Sequence, residues 1–165
     1  MPMDPGEQYD RIYRYCYFKL RDRELAEDMT QETFLRYLER YQCDSAQEAV
    51  RCLYTIARHL CVDEYRRHKP VSLTGMQERQ DGDRNLQTAY GEGSNEEEQT
   101  LLRLAVRKAL AVLEEEEQEL LLLRYGNEVS PATIGKLLGI SRFAVYRRLT
   151  AASRKFKEQL GKEGF

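Results

Sequence analysis

The stretch from Val129 to Lys157, VSPATIGKLLGISRFAVYRRLTAASRKFK, constrains this chain most. It contains seven Lys and Arg residues and no Asp or Glu. Ser130 followed by Pro131 makes an N-cap with proline in the first helical turn. Ile134, Leu137 and Leu138 then repeat at helical spacing. Gly139 supplies the left-handed exit that ends such a helix. Ser141 caps a second helix, in which Val145 and Leu149 are expected to face inward. Gly135 is small where the two helices would cross. Two helices joined this tightly read as a helix-turn-helix, whose second helix lies in the major groove of DNA. Here that helix offers Arg142, Phe143, Tyr146, Arg147 and Arg148 outward. The plainer alternative is a pair of surface helices with a solvated basic face.

The basic stretch stands against a chain whose net charge is −2. Residues 1–69 hold 12 basic and 13 acidic groups, residues 70–100 hold 2 and 7, and residues 101–165 hold 12 and 8. Charge sorted this way suggests a nucleic-acid module joined through an acidic tether. A length of 165 residues fits one compact domain or two small ones. No apolar run approaches the roughly 20 residues of a membrane span. The start, MPMDPGEQYD, has neither the basic nor the apolar region of a signal peptide, so the expected compartment is the cytoplasm. Four cysteines stand at 16, 43, 52 and 61, without a CxxC pair or zinc-finger spacing. They are expected to be reduced, partly buried thiols. His59 and Cys61 diverge by about 200° on a helix, which argues against a shared metal. No metal and no cofactor is expected.

The rest of the chain reads as all-α. From Gln8 to Leu20, Tyr9, Ile12, Tyr13, Cys16, Tyr17 and Leu20 mark one apolar face. Arg21, Asp22 and Arg23 form a polar break. In the next helix, Glu24 to Tyr41, the inward arc is expected to carry Ala26, Met29, Thr33, Phe34, Tyr37, Leu38 and Tyr41. Asp28, Gln31, Glu32, Leu35 and Glu39 fall opposite. That face is either solvated or a docking face with Leu35 as its apolar anchor. Gln42 to Glu48 reads as a loop, with a helix opening near Ala46. In the helix from Ala49 to His68, Leu53, Ile56, Ala57 and Leu60 form the core stripe. Thr55, Arg58, His59, Val62 and Arg66 lie on the far side, flanked by Tyr54 and Tyr65. Cations interleaved with rings suit single-stranded nucleic acid, because bases stack while cations track phosphates. An ordinary amphipathic helix with a basic end fits the same residues. Pro70 ends this helix. Residues 71–95, with Gly75, Gly82, Gly91 and Gly93, are too polar for a core and read as a flexible linker. Ser94 or Asn95 can cap the following helix. Leu102, Ala105, Val106, Ala109, Leu110 and Leu113 then repeat along Leu101 to Leu113. Glu114 to Arg124 is a further helix that Gly126 and Asn127 terminate.

At AEDMTQETFLRYL, Ala26 to Leu38, the chain resembles bacterial sigma factors of the extracytoplasmic-function (ECF, group IV) type. That family shows Ala-Asp-Leu-x-Gln-Glu-x-Phe-Leu there. LYTIARHLCVDEYRRH, Leu53 to His68, is similar to its next signature, Leu-Tyr-x-Ile-Ala-Arg-Asn-x-x-x-Asp-x-x-Arg. The C-terminal half resembles the family's second domain. The resemblance implies two small helical domains, at 7–69 and 97–162, joined by a flexible acidic linker at 70–96. It also implies a protein that joins core RNA polymerase and directs promoter-specific initiation. By the matching positions, Asp28, Gln31, Glu32 and Leu35 would dock on the coiled coil of the β′ subunit. Arg58, His59, Asp63, Arg66 and Arg67 would open the −10 element, with the segment near Cys43 to Glu48 forming the pocket for an extruded base. Ser141, Arg142, Phe143, Tyr146, Arg147 and Arg148 would read the −35 element as duplex. An anti-sigma factor that covers these faces is implied as a further partner.

The chain departs from the family pattern at four points. Cys52 stands where Trp is common and His59 where Asn is common. Thr133-Ile134-Gly135 replaces the usual Glu-Ile-Ala, and Tyr146 occupies a position that is usually basic. The alternative function is a helix-turn-helix regulator with an N-terminal dimerisation or sensing domain. That reading explains the basic C-terminus but not the Ala26 to Leu38 pattern. An enzyme is not expected: no nucleophile sits beside a base, no acidic cluster has metal-binding spacing, and no Gly-rich phosphate loop appears.

Overall fold

A computed structural model describes residues 4–40, 43, 45–67 and 96–164. Their regular structure is all helical, with no strand among them. The chain divides into two compact units, one from each half.

The first unit is a three-helix bundle in which every helix packs on the other two. Helix α1 spans Pro5–Leu20. It starts earlier than its aromatic pattern suggests, because the Asp4 side chain accepts from the Gly6 N–H at 3.0 Å and Pro5 opens the first turn. Arg21, with φ 54, takes the left-handed position that ends it. Helix α2 spans Arg23–Arg40 and α3 spans Ala46–Arg67. Ser45 accepts from the Glu48 N–H at 3.1 Å, so α3 opens at Ala46, where a helix start was expected.

The core of this unit is Ile12, Tyr15 and Cys16 of α1, Ala26 of α2, and Leu53, Tyr54 and Ala57 of α3. Two assignments from periodicity are corrected here. Tyr54 does not flank the outer face; it is fully buried and meets Tyr15 edge-on, with ring centroids 5.5 Å apart. Leu38 does not face inward; it is 75% exposed. The buried strip of α2 is narrow and centred on small side chains, Ala26, Thr30 and Thr33. The two threonines can be buried because their hydroxyls donate to the carbonyls of Ala26 and Met29, each at 2.6 Å. Leu38 lies about a quarter-turn round from that strip. Tyr41 lies outside the described residues.

The second unit contains α4, Glu96–Ala111, α5, Glu115–Leu121, α6, Pro131–Leu138, and α7, Arg142–Lys162. Helices α4, α5 and α6 all pack on α7. Its Val145, Leu149 and Ala152 meet a core that includes Ala105, Ala109, Leu120, Leu123 and Ile134. Leu102, expected on the inner stripe of α4, is largely exposed. The short residues Ala105 and Ala109 carry the α4 contact instead. Gln118 closes the corner between α4 and α5, donating from Nε2 to the carbonyls of Leu110 at 2.6 Å and Leu113 at 3.2 Å. Beyond α5 the helix widens into a π turn, Leu122–Gly126. The fully buried Asn127 follows it, and the Val129 N–H returns to the Leu123 carbonyl at 2.8 Å.

The linker expected at 70–96 lies outside the described residues except for Glu96, which begins α4. Pro70, Ser94 and Asn95 also lie outside them. No helix among the described residues is long and apolar enough to cross a membrane.

Candidate nucleic-acid and docking faces

The helix-turn-helix is built by two serine caps and one close contact. Ser130 accepts from the Thr133 N–H at 3.2 Å, and its hydroxyl lies 2.8 Å from Thr133 Oγ1. Gly139, at φ 72, ends α6 with its N–H on the Gly135 carbonyl. Ser141 accepts from the Ala144 N–H at 3.1 Å and starts α7. The turn is tight because Gly135 has no side chain. A Cβ there would lie 2.8 Å from the Ile140 carbonyl oxygen. Gly135 therefore makes room for the turn itself rather than for the crossing of the two helices.

Arg142, Phe143, Tyr146, Arg147 and Arg148 are all exposed, while Val145 and Leu149 turn into the core. The exposed five do not form one surface. At about 100° per residue, Arg142, Phe143, Tyr146 and Arg147 cover one continuous arc, and Arg148 sits on the opposite flank. Residues absent from the sequence reading extend the arc. Thr150 and Arg154 line a shallow cleft with Tyr146 and Arg147. A second cleft runs from Tyr146 past Arg154 and Lys157 to Arg124 and Tyr125. The Arg124 guanidinium stands 6.0 Å from the Tyr125 ring centroid. The helical repeat could have revealed Arg154 and Lys157. Arg124 and Tyr125 reach this surface only through the packing of α5 against α7.

In the first unit, α3 turns Thr55, Arg58, His59, Val62, Asp63, Tyr65 and Arg66 away from its core stripe. His59, Asp63 and Arg66 share one flank. Arg58, half-buried, and Tyr65, 53% exposed, share the other. Arg67 is exposed beside Glu64, at 3.9 Å. Tyr65 is the ring on this arc that remains open for stacking, since Tyr54 is inside. Of the segment ahead of α3, Cys43 and Ser45 are described; Gln42 and Asp44 are not.

On α2, Asp28, Gln31, Glu32, Leu35 and Glu39 share the solvent side as expected. Glu32 accepts from Arg36 Nε at 2.9 Å. Leu35 is 55% exposed, and Leu38 stands on the adjoining edge of the same face. This face therefore presents two apolar side chains among acids and amides, rather than one.

Residues 7–71 match the family Sigma-70 region 2, and residues 109–158 match Sigma-70, region 4. The ECF RNA polymerase sigma factor SigL of Mycobacterium tuberculosis is 31% identical over 157 residues, which cover 93% of this chain and 84% of SigL. The chain belongs to the ECF RNA polymerase sigma factors. The RNA polymerase sigma factor YlaC of Bacillus subtilis is 27% identical over 157 residues, 94% of this chain and 89% of YlaC. The ECF RNA polymerase sigma factor BldN of Streptomyces coelicolor is 28% identical over 158 residues, 90% of this chain but 57% of BldN. This chain is thus a promoter-directing sigma factor, one of a family of initiation factors that works with core RNA polymerase and promoter DNA. A free-standing regulator with an unrelated N-terminal domain is not favoured, because the first unit itself matches region 2.

Proposed function

We propose a division of labour in which each unit uses one open helix face for one step of initiation. The first, at 7–69, docks on polymerase and opens the −10 element. The second, at 97–162, reads the −35 element, with residues 70–96 as the tether between them. The observation that carries this reading is the open face of α2, where Leu35 and Leu38 stand exposed beside Asp28, Gln31 and Glu32. Apolar anchors ringed by acids and amides suit a basic partner helix, so this face takes the β′ coiled coil.

The outward arc of α3 then meets melted −10 DNA. Arg58, Arg66 and Arg67 track phosphates, Tyr65 offers a ring for stacking, and His59 and Asp63 meet base edges. The segment from Cys43 to Glu48 receives an extruded base. In the second unit, Ser141, Arg142, Phe143, Tyr146 and Arg147 read the duplex −35 element from the first turns of α7. Arg148 reaches the phosphate backbone from its separate flank. A tether lets two weak contacts act together, because the second becomes intramolecular once the first is made. The protein works in the cytoplasm, and an anti-sigma factor covering these faces holds it silent.

Run-off transcription with purified core polymerase on a genomic library tests the whole assignment. Substituting Gln31 or Glu32 should abolish core binding. Arg147→Ala should weaken promoter choice and leave core binding unchanged, while Arg148→Ala should lower the salt dependence of promoter binding by about one charge. Identical effects of the α2 and Arg147 substitutions on core affinity would overturn the division.

A further inference from the structure

The four cysteines form two pairs with opposite access to solvent. Cys16 and Cys61 are hydrogen-bonded to one another inside the bundle and are fully buried or nearly so. Cys43 and Cys52 are half-exposed, and their sulfurs stand 3.5 Å apart. Cys43 precedes α3, and Cys52 lies in its second turn. A disulfide needs sulfurs about 2 Å apart, so side-chain rotation has about 1.5 Å to close.

We propose that Cys43 and Cys52 are a peroxide-sensitive dithiol that closes reversibly to an intramolecular disulfide, tying the segment ahead of α3 to the helix. The Cys43 sulfur attacks hydrogen peroxide and the O–O bond breaks: one oxygen stays as Cys43 sulfenic acid, and the other leaves with the thiol proton as water. The Cys52 sulfur then attacks the sulfenic sulfur. Its proton leaves with the sulfenic hydroxyl as a second water, and the S–S bond forms. Two thiols are oxidised by two electrons, and the peroxide is reduced to two waters. A thiol reductant reverses the step by exchange.

The order of attack follows from the neighbours. Burial, and then the hydrogen bond with Cys43, push the Cys52 thiol up to about 11. Burial, followed by its own hydrogen bond with Cys43, also raises the Tyr37 phenol. Cys52 therefore holds its proton more tightly than an ordinary thiol, so the first attack is assigned to Cys43 and the resolving one to Cys52. The buried pair is shielded from the oxidant. Disulfides in a reducing compartment are chiefly transient ones of this accessible kind.

The four cysteines fall on four different tryptic peptides, and 41–51 and 52–58 carry the proposed pair. After mild treatment of the full chain with hydrogen peroxide, alkylation should find two free thiols instead of four. A linked peptide joining 41–51 to 52–58 should appear and vanish with dithiothreitol. Cys43→Ser and Cys52→Ser should each abolish the link; the wild-type map needs neither variant. Retention of four thiols, a link through Cys16 or Cys61, disulfide-bonded dimers, or sulfinic acid on Cys43 without a link would overturn the proposal. Its effect on transcription rests on the assignment of this segment to −10 opening. On that assignment, run-off yield should fall several-fold on oxidation and recover with dithiothreitol, and Cys52→Ser should resist. A disulfide that forms without changing yield would sink the −10 assignment while leaving the dithiol standing.

Discussion

Gly135 and Ile140 approach so closely that no side chain fits between them: a Cβ on Gly135 would lie 2.8 Å from the Ile140 carbonyl oxygen. The Ile140 N–H also returns to the Gly135 carbonyl at 3.0 Å, so a hydrogen bond holds Ile140 close over Gly135. The direction in which α7 leaves the turn depends on this contact. The resemblance to the family leads one to expect alanine at this position, so the chain's glycine is matched to its own turn.

Gly135→Ala should therefore destabilise the second unit. Helix propensity alone favours alanine by about 1 kcal/mol. Overpacking against a backbone that cannot rotate away costs about 1–3 kcal/mol, so the net effect is a loss. Urea unfolding of the full chain should show a lower midpoint for its second unit, and promoter binding should weaken with it. A neutral or stabilising result would mean that the turn yields easily.

Tyr54 and Tyr65, which flank one stripe in the sequence, should behave oppositely. Tyr54→Ala removes a fully buried ring that packs edge-on against Tyr15 and should cost about 3–5 kcal/mol. Tyr65→Ala, at an exposed position, should change stability by about 0.5 kcal/mol or less. Only the second should lower the yield of opened promoter at unchanged stability. Potassium permanganate footprinting of the melted strands beside urea titrations separates the two effects.

Leu38→Ala should leave the fold intact and weaken the polymerase contact. The side chain is 75% exposed, so its removal opens no cavity. As one of two apolar anchors on α2, its loss should cost about tenfold in core affinity. Leu35→Ala should do the same, and fluorescence titration with core polymerase reads both. An unchanged affinity for both variants would mean that the α2 face is merely solvated.

The first unit should lose stability at alkaline pH through Cys52. Its thiol is raised from 9.0 to about 11 in the folded chain. Between those values the unfolded chain has released this proton and the folded chain still holds it. The folded state then binds more protons, so stability falls as pH rises through this window and levels off above it. Below pH 9 the group contributes no slope. With dithiothreitol present, the urea midpoint should fall less steeply from pH 9 to 11 in Cys52→Ser than in the wild type. Tyr37, raised by burial, accounts for part of the slope that remains. Equal slopes in the two proteins would contradict a raised thiol.

Much of the fold was legible because its signals are local. Ser130, Gly139 and Ser141 act on backbone groups within three or four residues, so their caps could be read directly and appear as read. Core stripes such as Leu53, Ile56, Ala57 and Leu60 follow from the helical repeat alone. Periodicity failed where it had to decide the width of a buried strip. Leu38 and Tyr54 both sit near the edge of an arc, and only the position of the neighbouring helices decides which side is covered. Thr30 carries no apolar signal in the sequence; it can be buried because its hydroxyl donates to the Ala26 carbonyl of its own helix.

By itself, then, the sequence determined two helical units, the position of the helix-turn-helix, and the family motifs on α2 and α3, since each rests on spacing along one helix or one turn. The tertiary structure alone decided which side chains from distant positions meet. It set Tyr15 against Tyr54, brought Arg124 and Tyr125 beside Tyr146, left Leu38 next to Leu35 in solvent, and sorted four similar thiols into a sealed pair and an open one. The physical reason is that a helix fixes directions only around its own axis. What covers each direction depends on how separate helices pack, and no local repeat encodes that.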